Sequence, residues 1–168
     1  MTIHPNPWSR DAHVHEFLTS WVFDASIERV FEVLNDSAAF PEWWKAVAAV
    51  SVLEPGDQDG VGELARYSWR GVLPYTLCFD SRVTRVEPPY LIEGHASGEL
   101  EGVGVWRLYP DPRGTAVRYS WRVRATKPWM RMWGPLVRPA MRWNHDRVMR
   151  WGGAGLAARL DASLLLRG

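Results

Sequence analysis

After Trp44 the chain is punctuated at short, regular intervals by turn-forming residues: Pro55-Gly56, Asp59-Gly60, Gly71 to Pro74, Pro88-Pro89, Gly98 to Gly102 and Asp111 to Gly114. The runs between them are about eight to twelve residues long, a length that suits strands joined by hairpins. Six strands in succession are expected, and hairpin connections make such a sheet antiparallel, with one face covered and the other in water. A sheet of this kind needs a partner for its apolar face, so the flanking sequence decides the fold.

Upstream, Val14 to Asp24 alternates, with Phe17, Trp21 and Phe23 on one parity and Glu16, Ser20 and Asp24 on the other, the period of a half-buried strand. Ser26 stands where an N-cap belongs, and Ile27, Val30, Phe31 and Leu34 recur at helical spacing until Asn35 and Asp36 interrupt them. Ser37 to Trp44 is expected to add a second short helical turn, broken near Pro41. Downstream, Leu136, Val137, Ala140, Val148 and Trp151 keep a helical period from Pro135 onward, which predicts a helix of five turns or more. Pro135 and Pro139 are tolerable near its first turn, and Gly152, Gly153 and Gly155 should loosen its far end. Lys127 to Gly134 is expected to form a separate short helical segment.

The expected fold is therefore α+β: a curved, seven-stranded antiparallel sheet wrapped around one long C-terminal helix, with two short helices after the first strand. With 168 residues it fits a single domain spanning 1–168, of which 1–12 read as a loosely packed arm. A curved sheet and a straight helix do not close completely, so a cavity is expected between them. The chain carries 11 Trp, where small cores are normally filled with Leu, Ile and Val, and that excess suggests an aromatic-lined cavity.

The element order, with Phe40-Pro41-Glu42-Trp43-Trp44 after the first helix, resembles the START-like (SRPBCC) superfamily of helix-grip proteins. Further matching stretches are Pro88-Pro89-Tyr90, Gly98-Glu99-Leu100-Glu101-Gly102, Gly114-Thr115-Ala116-Val117 and Arg142-Trp143-Asn144-His145. The superfamily includes polyketide cyclases and dehydratases, lipid-transfer proteins, aromatase-like proteins and plant allergens. The resemblance covers nearly the whole chain and implies an architecture together with a hydrophobic ligand or a cyclase-type reaction. It supplies no catalytic signature, and one fold hosts many functions.

Strand parity selects the side chains expected to face the cavity. In the last strand of the run Val117, Tyr119, Trp121 and Val123 share one face and Arg118, Arg122 and Arg124 the other. By the same alternation Gly104, Trp106 and Leu108, then Leu77, Phe79 and Val83, turn inward, and Tyr67 and Trp69 join them. The fifth strand is ambiguous, so parity alone does not place His95. On the helix, Trp133, Val137, Ala140, Asn144, Val148 and Trp151 fall within one stripe. The expected ligand-contacting set is Trp43, Trp44, Tyr67, Trp69, Phe79, Trp106, Tyr119, Trp121, Val137, Asn144 and Val148. Asn144 is a polar group within an apolar stripe and needs a partner: cavity water, Tyr119, a Trp N–H, a sheet side chain or a ligand. Asn144, His145, His95 and Tyr119 are the candidates for any proton transfer, His being the natural general base near neutral pH.

Other chemistries find no support. A formal charge of +1 gives no field for nucleic acid, and no run of about 18 apolar residues exists to span a membrane. Cys78 stands alone, His4, His13 and His15 lack a further ligand at metal spacing, and no phosphate-binding loop or nucleophile elbow is present, so neither metal nor cofactor is expected. Met1 to Trp8 do not read as a secretion signal, so a cytoplasmic location is expected; the expected state is a monomer or homodimer. Three readings follow: a carrier or sensor of a small hydrophobic molecule; a cyclase or dehydratase acting in the same cavity; and an interaction protein docking through the Arg- and Trp-rich stretch from Trp129 to Trp151, with Arg131, Arg138, Arg142 and Arg150.

Overall fold

The computed structural model describes residues 14–128 and 134–168. The expected arm at 1–12, with His4, the adjoining His13, and most of the short segment after Lys127, with Trp129, Arg131 and Trp133, lie outside the described residues. The first strand, β1 (Val14–Phe23), leads into helix α1 (Ile27–Asn35) and then into a single 3₁₀ turn at Ser37–Ala39 and helix α2 (Phe40–Trp43). Ser26 occupies the N-cap position in an extended conformation but makes no side-chain capping hydrogen bond; its carbonyl accepts from Val30 N–H at 3.1 Å.

The expected six strands follow as β2 (Val47–Glu54), β3 (Leu64–Trp69), β4 (Leu77–Glu87), β5 (Leu91–Gly98), β6 (Leu100–Asp111) and β7 (Gly114–Ala125). They form one antiparallel sheet in the order β2-β3-β4-β5-β6-β7-β1, so β1 closes the sheet beside β7. The β6–β7 turn depends on Gly114, whose φ of +136° lies in a region L side chains rarely adopt and where a Cβ would come within 2.2 Å of the Phe23 carbonyl oxygen. Helix α3 (Gly134–Leu160) lies across the concave face.

Two features depart from expectation. The sheet has an eighth strand, β8 (Leu164–Arg167): the chain reverses at Asp161 (φ 50°) and pairs with the free edge of β1. Leu164-Leu165-Leu166 does not alternate, so no strand period marks it. Helix α3 also runs unbroken through Gly152, Gly153 and Gly155, which do not loosen it. These glycines are points of close approach: a Cβ on Gly152 would stand 2.4 Å from the Trp44 ring, one on Gly153 3.0 Å from Trp21 Nε1, and one on Gly155 1.9 Å from the Trp43 carbonyl oxygen. With the glycine face open, Trp44 Nε1 reaches the helix backbone and donates to the Val148 carbonyl at 2.9 Å.

The core accordingly centres on indoles. Trp21 and Trp44 are each 1% exposed, and with Trp106 they form a mutually tilted group with ring centroids 5.7 to 6.2 Å apart. Phe23, Val30, Leu156 and Leu160 fill in around them, each burial contributing about 1.5–3 kcal/mol. The buried stripe of α3 runs through Val148, Met149, Gly152, Gly153, Leu156, Ala157 and Leu160. Trp151 sits at its edge, half-buried, with the Lys45 ammonium 4.8 Å from its ring centroid.

Candidate ligand cavity

Two partly open chambers that share one wall lie against the sheet. The first, about 120 Å³, lies under the N-terminal half of α3 and is mostly apolar. Its floor is β7 and β4, with Tyr119, Trp121, Val123, Leu77 and Phe79. Its roof is Met141, Asn144, His145, Val148 and Met149, and one end is closed by the loop joining β3 to β4 through Gly71, Leu73 and Tyr75. The second, about 90 Å³, lies between the α1–α2 region and the middle of the sheet, lined by Phe40, Trp44, Tyr67, Trp106, Ile92 and Val83 together with Ser37, Glu63 and Ser81. Trp69, Phe79, Tyr119 and Trp121 face both. Gly94 and Gly104 keep the second chamber open: a Cβ on Gly104 would stand 2.8 Å from both the Trp121 ring and the Tyr119 hydroxyl.

The strand alternation accounts for most of these positions. Trp69, Phe79, Tyr119, Trp121 and Val148 line the first chamber, and Trp44, Tyr67 and Trp106 line the second. Trp44 and Trp106 are also core residues, and Trp106 stacks on Tyr119 with centroids 3.9 Å apart. Trp43 lines neither chamber; it packs against Phe40 and Trp44 because α2 turns its ring away from the cavity. Val137 lies in the first turn of α3, and its side chain is not among those described. His95 lies outside both chambers: on β5 it shares the solvent-facing parity with Glu93, its side chain is 55% exposed, and its Nε2 is 3.7 Å from Glu93 Oε1.

Asn144 has a partner that the sequence did not suggest. Its Oδ1 accepts from Val72 N–H at 2.8 Å and Leu73 N–H at 3.3 Å, fastening the β3–β4 loop to α3. Gly71 makes room for this contact, since a Cβ there would stand 2.3 Å from the same oxygen. The amide therefore closes the chamber wall using main-chain donors.

His145 is a further polar group on the wall of the first chamber. Its side chain is 14% exposed and stacks face to face on Phe17 at 4.2 Å, while Nε2 is fully buried without a hydrogen-bond partner among the described residues. Nδ1 lies 3.6 Å from Asp146 Oδ1. Burial pushes the His145 pKa below its ordinary value and Asp146 only partly opposes this, so the ring is neutral at pH 7. Trp69 Nε1, on the shared wall, is likewise buried without a partner. Burial raises the Tyr67 phenol to about 12 and raises Tyr119 further, so both remain protonated donors. Among the described residues no group of three or more His, Cys, Asp or Glu could hold a metal.

Several lining residues were missed. His15 and Phe17 share the parity of Trp21 on β1 and were legible from it, whereas Leu73 and Tyr75 lie in a loop with no period to reveal them. Ser37 and Glu63 reach the second chamber from short connecting segments. On the solvent side of α3, Arg142, Trp143 and Arg150 are exposed, Trp143 to 47%.

Residues 14–161 match the family model described as polyketide cyclase / dehydrase and lipid transport. The chain belongs to this family. Among solved structures, the polyketide cyclase/dehydrase-type fold is shared with the Zhui aromatase/cyclase of Streptomyces sp. R1128 (15% identity, 89% of this chain and 94% of that one, TM-score 0.72). A START superfamily protein from Mycobacterium smegmatis is similar over 89% of this chain and 98% of its own, at 14% identity and a TM-score of 0.68. The di-domain aromatase/cyclase BexL matches at 17% identity over 91% of this chain and 51% of its own, with a TM-score of 0.66. At these identities the likeness is one of fold. No curated protein matches the chain. Among the described residues no helix is long and apolar enough to cross a membrane.

Proposed function

We propose that this polyketide cyclase/dehydrase-family protein binds a small aromatic or otherwise hydrophobic molecule between sheet and helix. The observation that carries this reading is a mostly apolar chamber walled by Tyr119, Trp121, Leu77 and Met141 and lined also by His145, whose Nε2 is buried without a partner among the described residues. Size bounds the ligand. A dry cavity of ~150 Å³ holds one benzene ring, and pockets for larger ligands run to roughly 300–1,000 Å³. The first chamber at about 120 Å³ suits one ring, and a molecule of two or more rings extends through the shared wall into the second.

A catalytic reading is favoured by the same imidazole. A neutral ring on the wall of an apolar chamber, its buried Nε2 without a described partner, can accept a proton from a carbon or hydroxyl of the ligand, as a cyclisation by aldol closure requires. The expected result of native mass spectrometry on protein taken from its own cells, followed by organic extraction, is one hydrophobic compound near stoichiometric occupancy. Recovery of an empty protein that binds no aromatic compound would overturn the binding reading. Incubating His145→Phe with the extracted compound or its precursor separates the two: loss of turnover with retained binding supports catalysis, and an unchanged product profile removes it.

A further inference from the structure

The second chamber differs from the first in carrying a carboxylate on its wall. Glu63, just before β3, is half-buried, and its Oε1 accepts from Ser37 Oγ at 2.8 Å. Among the described residues no Lys or Arg pairs with it. Tyr67 lines the same chamber, its ring stacked on Phe79 with centroids 5.5 Å apart. A carboxylate turned toward a chamber loses hydration that one serine hydroxyl replaces only in part, so a further donor is favourable there. Apolar rings wall the rest of the space: Phe40, Trp44, Trp106 and Tyr119.

We propose that the second chamber is a subsite for a hydroxyl-bearing end of the ligand, the hydroxyl donating to the Glu63 carboxylate while the apolar body lies against Trp69 and Tyr119 and reaches the first chamber. This rests on the hydrophobic-ligand reading and adds polarity and direction to it. The ligand is amphipathic, with its polar end under the α1–α2 region and its apolar end under α3. Ser37 orients the carboxylate as a positioning residue, and Tyr67 offers a donor to a carbonyl on the same end.

Naphthalene and 2-naphthol are the test pair, being two-ring molecules that differ by one hydroxyl. Transfer from water to an apolar site alone favours naphthalene. Titration of the purified protein, followed by calorimetry, is expected to show 2-naphthol binding about tenfold tighter, the size of a hydrogen bond to a charged acceptor. In Glu63→Gln, which keeps the shape and one acceptor oxygen, most of that advantage disappears while naphthalene affinity is retained. Ser37→Ala shifts it in the same direction, and thermal melts verify that both variants are folded. His145→Phe, which alters the first chamber, is expected to shift both affinities together and so to keep their ratio. Equal affinity for the two compounds in the wild-type protein, or an advantage that survives Glu63→Gln, overturns the subsite and leaves the hydrophobic-ligand reading standing. An advantage lost only in His145→Phe places the hydroxyl in the first chamber and overturns the proposal too. Failure of both compounds to bind overturns both readings.

Discussion

At the scale of single residues, His145 and Asn144 are neighbours on α3 with opposite fates. The Asn144 amide is satisfied by two backbone donors, whereas His145 Nε2 is buried with no described partner. Burial that lowers the His145 pKa has a thermodynamic consequence. Below about pH 6.5 the unfolded chain takes up a proton that the folded ring resists, so stability falls as the pH drops through that value. Thermal melts between pH 5 and 8 should show a decline in Tm on the acid side that is shallower in His145→Phe; parallel curves would show that the imidazole is not shielded as described. Helical period put Asn144 within the inward stripe and His145 at its edge, between cavity mouth and solvent. It could not give the partner of Asn144, a backbone N–H about 70 positions away, which no local pattern reports.

Elements were more legible than residues wherever a period existed. The alternation of Val117, Tyr119, Trp121 and Val123 placed the inward face of β7, and the turn residues marked β2 to β7. Where period was absent, so was the reading: β8 is a run of leucines, the chamber-facing loop between β3 and β4 has none, and glycines on α3 looked like breaks. Asn144 fastens that loop to the helix. In Asn144→Ala both hydrogen bonds are lost, a cost of roughly 1–3 kcal/mol at the loop. Hydrogen exchange at Val72 and Leu73 amides should accelerate by about tenfold or more while the β6–β7 amides are unaffected, and dissociation of a bound aromatic compound should quicken in parallel. Unchanged exchange at those two amides would show that Asn144 does not hold the loop.

For the whole molecule, the seam between sheet and helix is glycine against indole. Replacing Gly152 with Ala gains about 1 kcal/mol of helix propensity, but the added methyl would sit 2.4 Å from the ring of Trp44, which is 1% exposed and hydrogen-bonded to the helix backbone. Overpacking of this kind costs about 1–3 kcal/mol or more, so the clash wins. Gly152→Ala should lower Tm by several degrees, and Gly155→Ala, which meets backbone at 1.9 Å, by more. Gly153→Ala, at 3.0 Å, should be nearly neutral, and a rise in Tm for all three would mean that the seam is looser than these distances imply. The fold was legible because its strands and long helix each carry a period. This seam was not, because it depends on which helix turn meets which ring.

The packing of those rings also makes the protein a single optical object. Trp43, Trp44 and Trp69 continue the group formed by Trp21 and Trp106, with Trp44 and Trp69 only 4.8 Å apart between centroids. Indoles this close exchange excitation before they emit, so the fluorescence belongs to the set and not to separate side chains. Trp69 joins that set to the wall of both chambers, and a molecule entering either one therefore alters the light emitted from the core.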